Sequence, residues 1–287
     1  MAKGNRLHKL LPHFFFWVVV LIFAAALAVL KWRIYCQHGY QSDVFSYSRA
    51  IANTLDGRFM WDPVHTYLLG SHSYLLLLLF VPIYALLPSP FILISSSVLS
   101  HVLAMWFVVR LSQVLFASVW IGFFWGAFYF LNPFILEQVV MPVYGFQPDI
   151  WAAPFIFATC YYFALGRMWA TLFSLALLAA VKEEFALLGV GLVALLGCNH
   201  VYAWLSPKLN LFSHRAKSVL EKGSRPQIFP LGAGAVVFMA LSFAVLQHGK
   251  SIKEHHFPPR FWSSASPCNF YLAEFIRDSR TSPLLPS

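Results

Sequence analysis

The stretch that decides the fold is residues 14–30, FFFWVVVLIFAAALAVL, which contains no charged side chain. A helix needs about 20 apolar residues to cross a bilayer, whereas the apolar region of a secretory signal has about 7–15 residues. Lys31 and Arg33 follow the run, in place of a small-residue cleavage site. We therefore expect an uncleaved, membrane-anchoring helix at this end of the chain.

The whole chain is as poor in charge as this first run suggests. Of its 287 residues, 59% are hydrophobic and 11% are charged, and the mean hydropathy is +0.67. Soluble domains carry about 25% charged residues, so this chain lacks the polar side chains that a water-facing surface requires. The composition excludes an ordinary soluble domain and predicts an all-α protein that spans a membrane several times.

The remaining apolar runs set the topology. They occupy residues 74–87, 91–109, 114–131, 150–165, 168–181, 185–204 and 228–247. If 74–87 crossed the membrane, Arg110, Arg167 and the basic loop 205–227 would all lie outside, against the positive-inside rule. We therefore expect 74–87 to lie along the outer interface and about seven helices to span the bilayer, with the N-terminus in the cytoplasm.

This topology divides the chain into a polytopic membrane domain, residues 1–249, and a polar, proline-containing tail, residues 250–287, for which we expect weak order. The domain has a long outer loop, 31–90, and a cytoplasmic basic loop, 205–227. The basic loop suits anionic lipid headgroups, so we expect membrane lipid rather than nucleic acid as a partner. The protein would reside in the plasma or inner membrane.

A short amphipathic helix is predicted in the outer loop. Apolar residues recur at helical spacing through 44–55, and Gly57 follows as a stop signal. Asp43 stands at the start of this helix. Its position alone favours a helix cap, for which Asp is common. The alternative is an acid that takes part in chemistry at the outer surface.

Three charged residues, Lys182, Glu183 and Glu184, interrupt the apolar sequence between 168–181 and 185–204. Ionisable groups at membrane depth are costly and usually face a cavity or a partner. We interpret Lys182 as a binder of an anionic group such as a phosphate, with Glu183 or Glu184 pairing with it or acting as a base. A tight helix hairpin whose charges reach the lipid headgroups is the alternative.

Weaker signals come from the other outer segments. Asp149 with Pro148 has the pattern of a helix start, and a loop with a cap is the simpler interpretation. His65 and His72 lie in the first outer loop, where they could form a metal site with Asp43. No HxH or HxxxH spacing supports such a site.

Four pieces of sequence, in order, resemble a known family. They are residues 42–45 with 53–59, 70–72 leading into 75–90, 144–149, and 181–184. This set resembles the DUF2079 family of predicted membrane proteins, which are similar to the GT-C glycosyltransferases. GT-C enzymes transfer a sugar from a polyprenyl-phosphate carrier to an acceptor at the outer face of the membrane.

The resemblance implies a GT-C-like fold, with Asp43 as the essential acid of the first outer loop and Lys182 as a lysine near the donor phosphate. Asp43 would act as general base on the acceptor hydroxyl, or help to hold a divalent metal such as Mg or Mn, and Glu183 would share the catalytic role. No other cofactor is expected. The residues expected to line the substrate cavity beside Lys182 are His65, His72, Tyr144, Gln147, Asp149 and Glu184.

The chain also departs from the family pattern. Gly145 and Gln147 stand where family members often have an acid and a histidine, and the piece Gly70-Ser71-His72 replaces a Gly-Glu-His. Relatives usually continue through further helices. Beside the leading hypothesis of a glycosyltransferase, the sequence leaves open a non-enzymatic transporter or lipid-binding membrane protein, or an inactive, truncated paralogue. It identifies neither the sugar nor the oligomeric state.

Overall fold

The computed structural model describes residues 4–37, 39–40, 42–62, 66–70, 72–140, 145–205, 236–237, 239–245 and 247–248. Most of these residues are helical. The basic loop beyond Leu205, the tail 250–287 and two residues expected at the site, His65 and Tyr144, lie outside them.

The described elements follow the chain as a succession of helices. They are α1 (Gly4–Cys36), α2 (Ser42–Leu55), α3 (Val81–Leu86), α4 (Phe91–Phe116), α5 (Val119–Phe130), α6 (Pro133–Val140), α7 (Ala152–Ala164), α8 (Met168–Val181) and α9 (Glu183–Leu205). Two short antiparallel strands, β1 (Trp61–Asp62) and β2 (Thr66–Tyr67), follow α2. Three 3₁₀ turns, Leu68–Gly70, Leu75–Phe80 and Pro148–Trp151, complete the set.

The apolar runs of the sequence coincide with helices. The run 168–181 has the same bounds as α8, and the runs 14–30 and 91–109 lie within α1 and α4. The described positions of the run 228–247 are helical as well. α6 was not predicted, because its segment was interpreted as a loop. The predominantly helical fold is therefore confirmed.

Two described helices are long and apolar enough to cross a membrane, His13–Cys36 within α1 and Phe91–Phe116. α5, α7 and α8 have 12, 13 and 14 residues, fewer than the roughly 20 that a full span requires. The expectation of about seven spans therefore stays a prediction.

α4 lies at the centre of the helical part and packs against α1, α5 and α7. α8 in turn packs against α7 and α9. Ser96 and Ser97 of α4 are buried and return their hydroxyl hydrogens to carbonyls three residues earlier, which satisfies these polar groups within the helix. Both buried hydroxyls therefore have a hydrogen-bond partner.

The outer loop forms a compact unit with a core of its own. α2 packs against β1, α3 and the turn Leu75–Phe80. The Arg49 Nε lies 3.1 Å from the Asp62 Oδ1, and the Asn53 amide donates to the Trp61 carbonyl at 2.9 Å. The buried apolar residues that fill the unit include Val44, Tyr47, Ile51, Leu77, Phe80, Tyr84, Leu93 and Phe146. Because Phe146 belongs to this core, the loop before α7 and the outer loop are fixed to each other.

Candidate functional site

A cavity of about 320 Å³ lies where four separate stretches of the chain meet. Its walls come from α2, from the 3₁₀ turn Leu68–Gly70 with the segment after it, from the segment before α7 and from the junction of α8 and α9. The residues that line it are Asp43, Ser46, Tyr47, Leu68, His72, Tyr74, Gln147, Asp149 and Lys182. Sites for small ligands measure about 300–1,000 Å³, so the cavity can hold a small molecule or one end of a larger one.

Asp43 reaches the cavity from the first turn of α2. The helix begins at Ser42, so Asp43 lies inside the first turn, where a carboxylate favours the positive end of the helix dipole. Val44, Ala50 and Ile51 of the same helix are fully buried. This burial fixes the rotation of α2 and points Asp43 towards the cavity that it lines.

Lys182 is the one non-helical residue between α8 and α9. Its backbone is extended, with φ −167° and ψ 153°, and its carbonyl accepts the Phe185 N–H at 3.0 Å, which starts α9. The Lys182 Nζ lies 3.3 Å from the Glu184 Oε2 and 3.8 Å from the Asp149 Oδ2. The ammonium is therefore held at the cavity wall between two carboxylates.

Glu183 faces away from Lys182 and joins the junction to the outer loop. Its Oε1 lies 2.9 Å from the His72 Nδ1, and its Oε2 accepts the Ser73 N–H at 2.9 Å and the Ser73 hydroxyl at 3.3 Å. Burial opposes ionisation of this carboxyl, but the hydrogen bonds from His72 and Ser73 outweigh it and lower its pKa. Both oxygens are occupied in the ionised form.

These contacts distinguish the two glutamates of the charged junction. Of the two glutamates that could pair with Lys182, it is Glu184 that does so, while Glu183 pairs with His72 and Ser73. A carboxylate with a lowered pKa is a weak base at neutral pH. The geometry of Glu183 favours a role in holding His72 rather than the role of a base.

Asp149 stands in the 3₁₀ turn Pro148–Trp151, which leads into α7 as its Pro-Asp pattern predicted. Burial raises its pKa, although the ammonium of Lys182 opposes the rise. Its Oδ1 is buried and has no hydrogen-bond partner among the residues that the structure describes. The turn is held from α4, because the Ser100 hydroxyl donates to the Ile150 carbonyl at 2.8 Å.

Two tyrosines of the cavity wall were missed by the sequence analysis. The rings of Tyr47 and Tyr74 meet edge to face with centroids 5.5 Å apart. Burial raises the pKa of Tyr47 to about 12 and raises that of Tyr74 further. Both hydroxyls remain protonated at neutral pH and can donate hydrogen bonds. In the sequence, Tyr47 stood out only as one of the apolar positions that predict α2.

Lys31 is the second feature that the sequence did not reveal. Its side chain is only 1% exposed, its Nζ donates to the Gly145 carbonyl at 2.9 Å, and it lies 5.6 Å from the centre of the Tyr40 ring. Gly145 has a positive φ of 65°, a conformation that favours glycine. Lys31 therefore anchors the segment that carries Gln147 and Asp149, a role that no local pattern indicates.

The structure thus brings together five of the residues expected at the site: Asp43, His72, Gln147, Asp149 and Lys182. Glu183 and Glu184 lie behind this wall, and Glu184 is largely exposed. Within the described ranges, no group of three or more His, Cys, Asp or Glu side chains is placed to hold a metal ion. His65, which could have completed a metal site with Asp43 and His72, lies outside those ranges, so a divalent metal stays a prediction.

Apolar side chains are exposed along α1 and α5, among them Phe14, Ile22, Trp120 and Phe128. Together with the two helices long enough to cross a bilayer, they define the class of the protein as a helical membrane protein.

A comparison with protein families then identifies the family. The sequence model of the family described as "Predicted membrane protein (DUF2079)" matches residues 43–266, and the chain belongs to this family. The match includes the stretches that line the cavity, from Asp43 to Lys182. No curated protein and no solved structure matches the chain.

Proposed function

We propose that this protein is a GT-C-like membrane glycosyltransferase that takes a sugar from a polyprenyl-phosphate donor. The observation that carries the proposal is one cavity, of about 320 Å³, lined by an acid from the outer loop and a lysine from a helix junction. Asp43 and Lys182 are far apart in sequence, and their common cavity supports the pairing of an acid with a phosphate-binding cation.

Lys182 would bind the phosphate of the donor. Its ammonium lines the cavity while only 13% of its side chain is exposed, so its charge is poorly screened by water. As the bond between the anomeric carbon and the phosphate oxygen breaks, the electron pair stays on the phosphate and its negative charge rises. A fixed cation beside that oxygen stabilises the transition state more than the bound donor.

Asp43 would act as the general base on the acceptor. The acceptor hydroxyl oxygen forms the new bond to the anomeric carbon, and its proton passes to the Asp43 carboxylate. Hydroxyl and amide groups in the same wall, from Tyr47, Tyr74 and Gln147, offer hydrogen bonds to the sugar hydroxyls. The expected position of the cavity is the outer face of the membrane.

The segment before α4 supports this orientation. Between Leu75 and Leu86 one side is buried, including Leu77 and Tyr84, while Leu79 and Leu86 are exposed. A short element that is packed on one side and apolar on the other suits the membrane interface. It would then lie at the outer surface, beside the cavity entrance.

Binding of a polyprenyl phosphate to the purified protein in detergent tests the proposal. We expect the wild type to bind and Lys182→Ala to lose at least about tenfold in affinity, since a charge-assisted contact contributes about 1.5–3 kcal/mol. Arg110→Ala is the matched control, because Arg110 is an exposed cation away from the cavity that contacts Gln113 and the ring of Trp106.

A transfer assay with the same donor class tests the role of Asp43. Asp43→Asn should bind the lipid phosphate at least as tightly as the wild type does and lose transfer by about 10²-fold or more. Full transfer by Asp43→Asn would disprove the base mechanism. Equal lipid binding by the wild type and Lys182→Ala would disprove the phosphate site. Binding without transfer by the wild type would favour the lipid-binding alternative.

A further inference from the structure

The charges around the cavity do not favour an anion as they stand. One ammonium, that of Lys182, faces the carboxylates of Asp43 and Asp149 on the wall. Glu183 and Glu184 add two more carboxylates immediately behind it. A phosphate that entered with all four acids ionised would meet a net negative environment in a poorly hydrated site. An accompanying positive charge would remove this repulsion.

Asp149 is the acid best placed to take up that charge as a proton. Its Oδ2 lies 3.8 Å from the Lys182 Nζ, so an incoming anion that approaches Lys182 also approaches Asp149. Its Oδ1 is buried and has no hydrogen-bond partner among the described residues. A proton on this oxygen would therefore form an O–H group that is not already engaged in another hydrogen bond. Burial already raises the pKa of this carboxyl.

The other acids are less suited to take a proton. Both oxygens of Glu183 are already in hydrogen bonds, to His72 and Ser73, and these contacts lower its pKa. Glu184 is largely exposed to water, which solvates its charge. The proposed role of Asp43 as the general base on the acceptor requires its carboxylate to be free of a proton before transfer.

We propose that an anionic ligand enters this cavity together with one proton, which Asp149 takes up and then shares with the ligand as a hydrogen bond. Lys182 supplies the charge and neutral Asp149 supplies a donor. The proton comes from the solvent, and no covalent bond is made or broken. The identification of the anion as a phosphate rests on the proposed function above.

A test of this coupling has to consider every titratable side chain near Asp149. The titratable ones are Lys182, Glu183 and Glu184 from the α8–α9 junction, His72 and Tyr74 from the segment before the turn Leu75–Phe80, and Asp43 and Tyr47 from α2. From α4, the neutral hydroxyls of Ser96 and Ser100 form hydrogen bonds with the turn that holds Asp149.

Calorimetric titration with a polyprenyl phosphohexose tests the coupling. This probe is a phosphodiester, so its single charge does not change between mildly acidic and mildly basic pH. For the wild type we expect affinity to fall by about tenfold per pH unit above the range where Asp149 is protonated, and about one proton to be taken up per ligand. Proton uptake is read from titrations in two buffers of different ionisation enthalpy.

Asp149→Asn carries the decisive comparison, because asparagine resembles the neutral acid in shape and can donate a hydrogen bond. We expect this variant to bind the probe at high pH as tightly as the wild type does at low pH, without dependence on pH. Glu184→Gln is the matched control. It removes another negative charge beside Lys182, so it should tighten binding while the pH dependence stays.

Several outcomes would overturn the inference. If Asp149→Asn keeps the wild-type pH dependence, the proton is taken up elsewhere, with His72 as the obvious acceptor. If Asp149→Asn binds more weakly than the wild type at all pH values, the ionised carboxylate is needed, as it would be beside a co-bound cation. If the wild type binds with no proton uptake, only this inference fails. If it does not bind at any pH, the proposed function fails with it.

Discussion

Among single residues, Gly145 is restricted both by its backbone conformation and by close packing. Its φ is +65°, and a Cβ placed on it would lie 2.8 Å from the Cδ1 of Tyr40, closer than side chains tolerate. Its carbonyl also receives the buried ammonium of Lys31. Backbone conformation, close packing and a buried hydrogen bond therefore coincide at one position two residues before Gln147.

Replacement of Gly145 by alanine tests this coincidence. Gly57 provides a matched control, since its φ is +81° but a Cβ there would meet nothing within 4 Å. We expect Gly57→Ala to cost about 1–2 kcal/mol from the left-handed backbone alone. Gly145→Ala should cost more, because Tyr40 must also move. Thermal unfolding in detergent measures the stability of both variants. Equal losses of stability would show that the Tyr40 ring moves aside without an energetic cost.

At this scale the sequence predicted the participants of the site but not their pairing. Lys182 and Glu184 were named from their charge in apolar surroundings and Asp149 from its place after Pro148, and they do meet. The partner of Glu183 could not be predicted, because one extended residue at Lys182 decides which way each neighbouring side chain points. Hydrogen bonds to carbonyls, such as that of Lys31, leave no side-chain pattern to detect.

Among the elements, the α8–α9 junction depends on its contact with the outer loop. Glu183, the first residue of α9, accepts two hydrogen bonds from Ser73 and contacts His72. These bonds tie the beginning of α9 to the segment before the turn Leu75–Phe80. The same bonds give the fold a dependence on pH.

Glu183→Gln is expected to lower stability at neutral pH and to flatten its decline in acid. The folded-state pKa of Glu183 lies below the ordinary value of 4.5, so its ionised form stabilises the fold above that value. This contribution is lost as pH falls through the lowered folded-state pKa. Loss of charge-assisted hydrogen bonds should cost about 1–3 kcal/mol at neutral pH.

Thermal unfolding followed from about pH 7 to about pH 3 would check this dependence, because the range spans the ordinary carboxyl pKa. Glu137→Gln serves as the control, since Glu137 is an exposed acid on α6. A Glu183→Gln profile parallel to that of the wild type would contradict the assignment.

Helices were predicted well where hydrophobicity alone defines them. α8 coincides with its apolar run, whereas α4 continues seven residues beyond the predicted end at 109, to Phe116. α6 was missed, although Asn132-Pro133 carries a helix-start signal: the Asn132 Oδ1 accepts the Phe134 N–H at 3.0 Å. Its apolar residues are too few to stand out beside the long runs around it.

For the whole molecule, orientation in the membrane is the property on which the proposed function depends. The outward-facing cavity requires the C-terminal end of α1 to lie outside and the basic loop 205–227 to lie in the cytoplasm. Cys36 at the end of α1 is free and exposed, which makes it a natural reporter of that end.

Cysteine labelling in intact cells tests this orientation. A variant that keeps Cys36 as its only cysteine should react with a membrane-impermeant maleimide before permeabilisation. A cysteine-free variant carrying Ser213→Cys, in the basic loop, should react only afterwards. The opposite labelling pattern would reverse the predicted topology and place the cavity on the cytoplasmic side of the membrane.

The buried contact between Lys31 and Gly145 has a consequence for where a shortened version of the protein can begin. The family match begins at residue 43, yet Lys31 lies before it and supports the segment that presents Asp149. A shortened protein that starts at the family boundary would retain every residue of the cavity wall and lack one of their supports. The functional unit of this chain therefore begins inside α1, upstream of the boundary that family comparison draws.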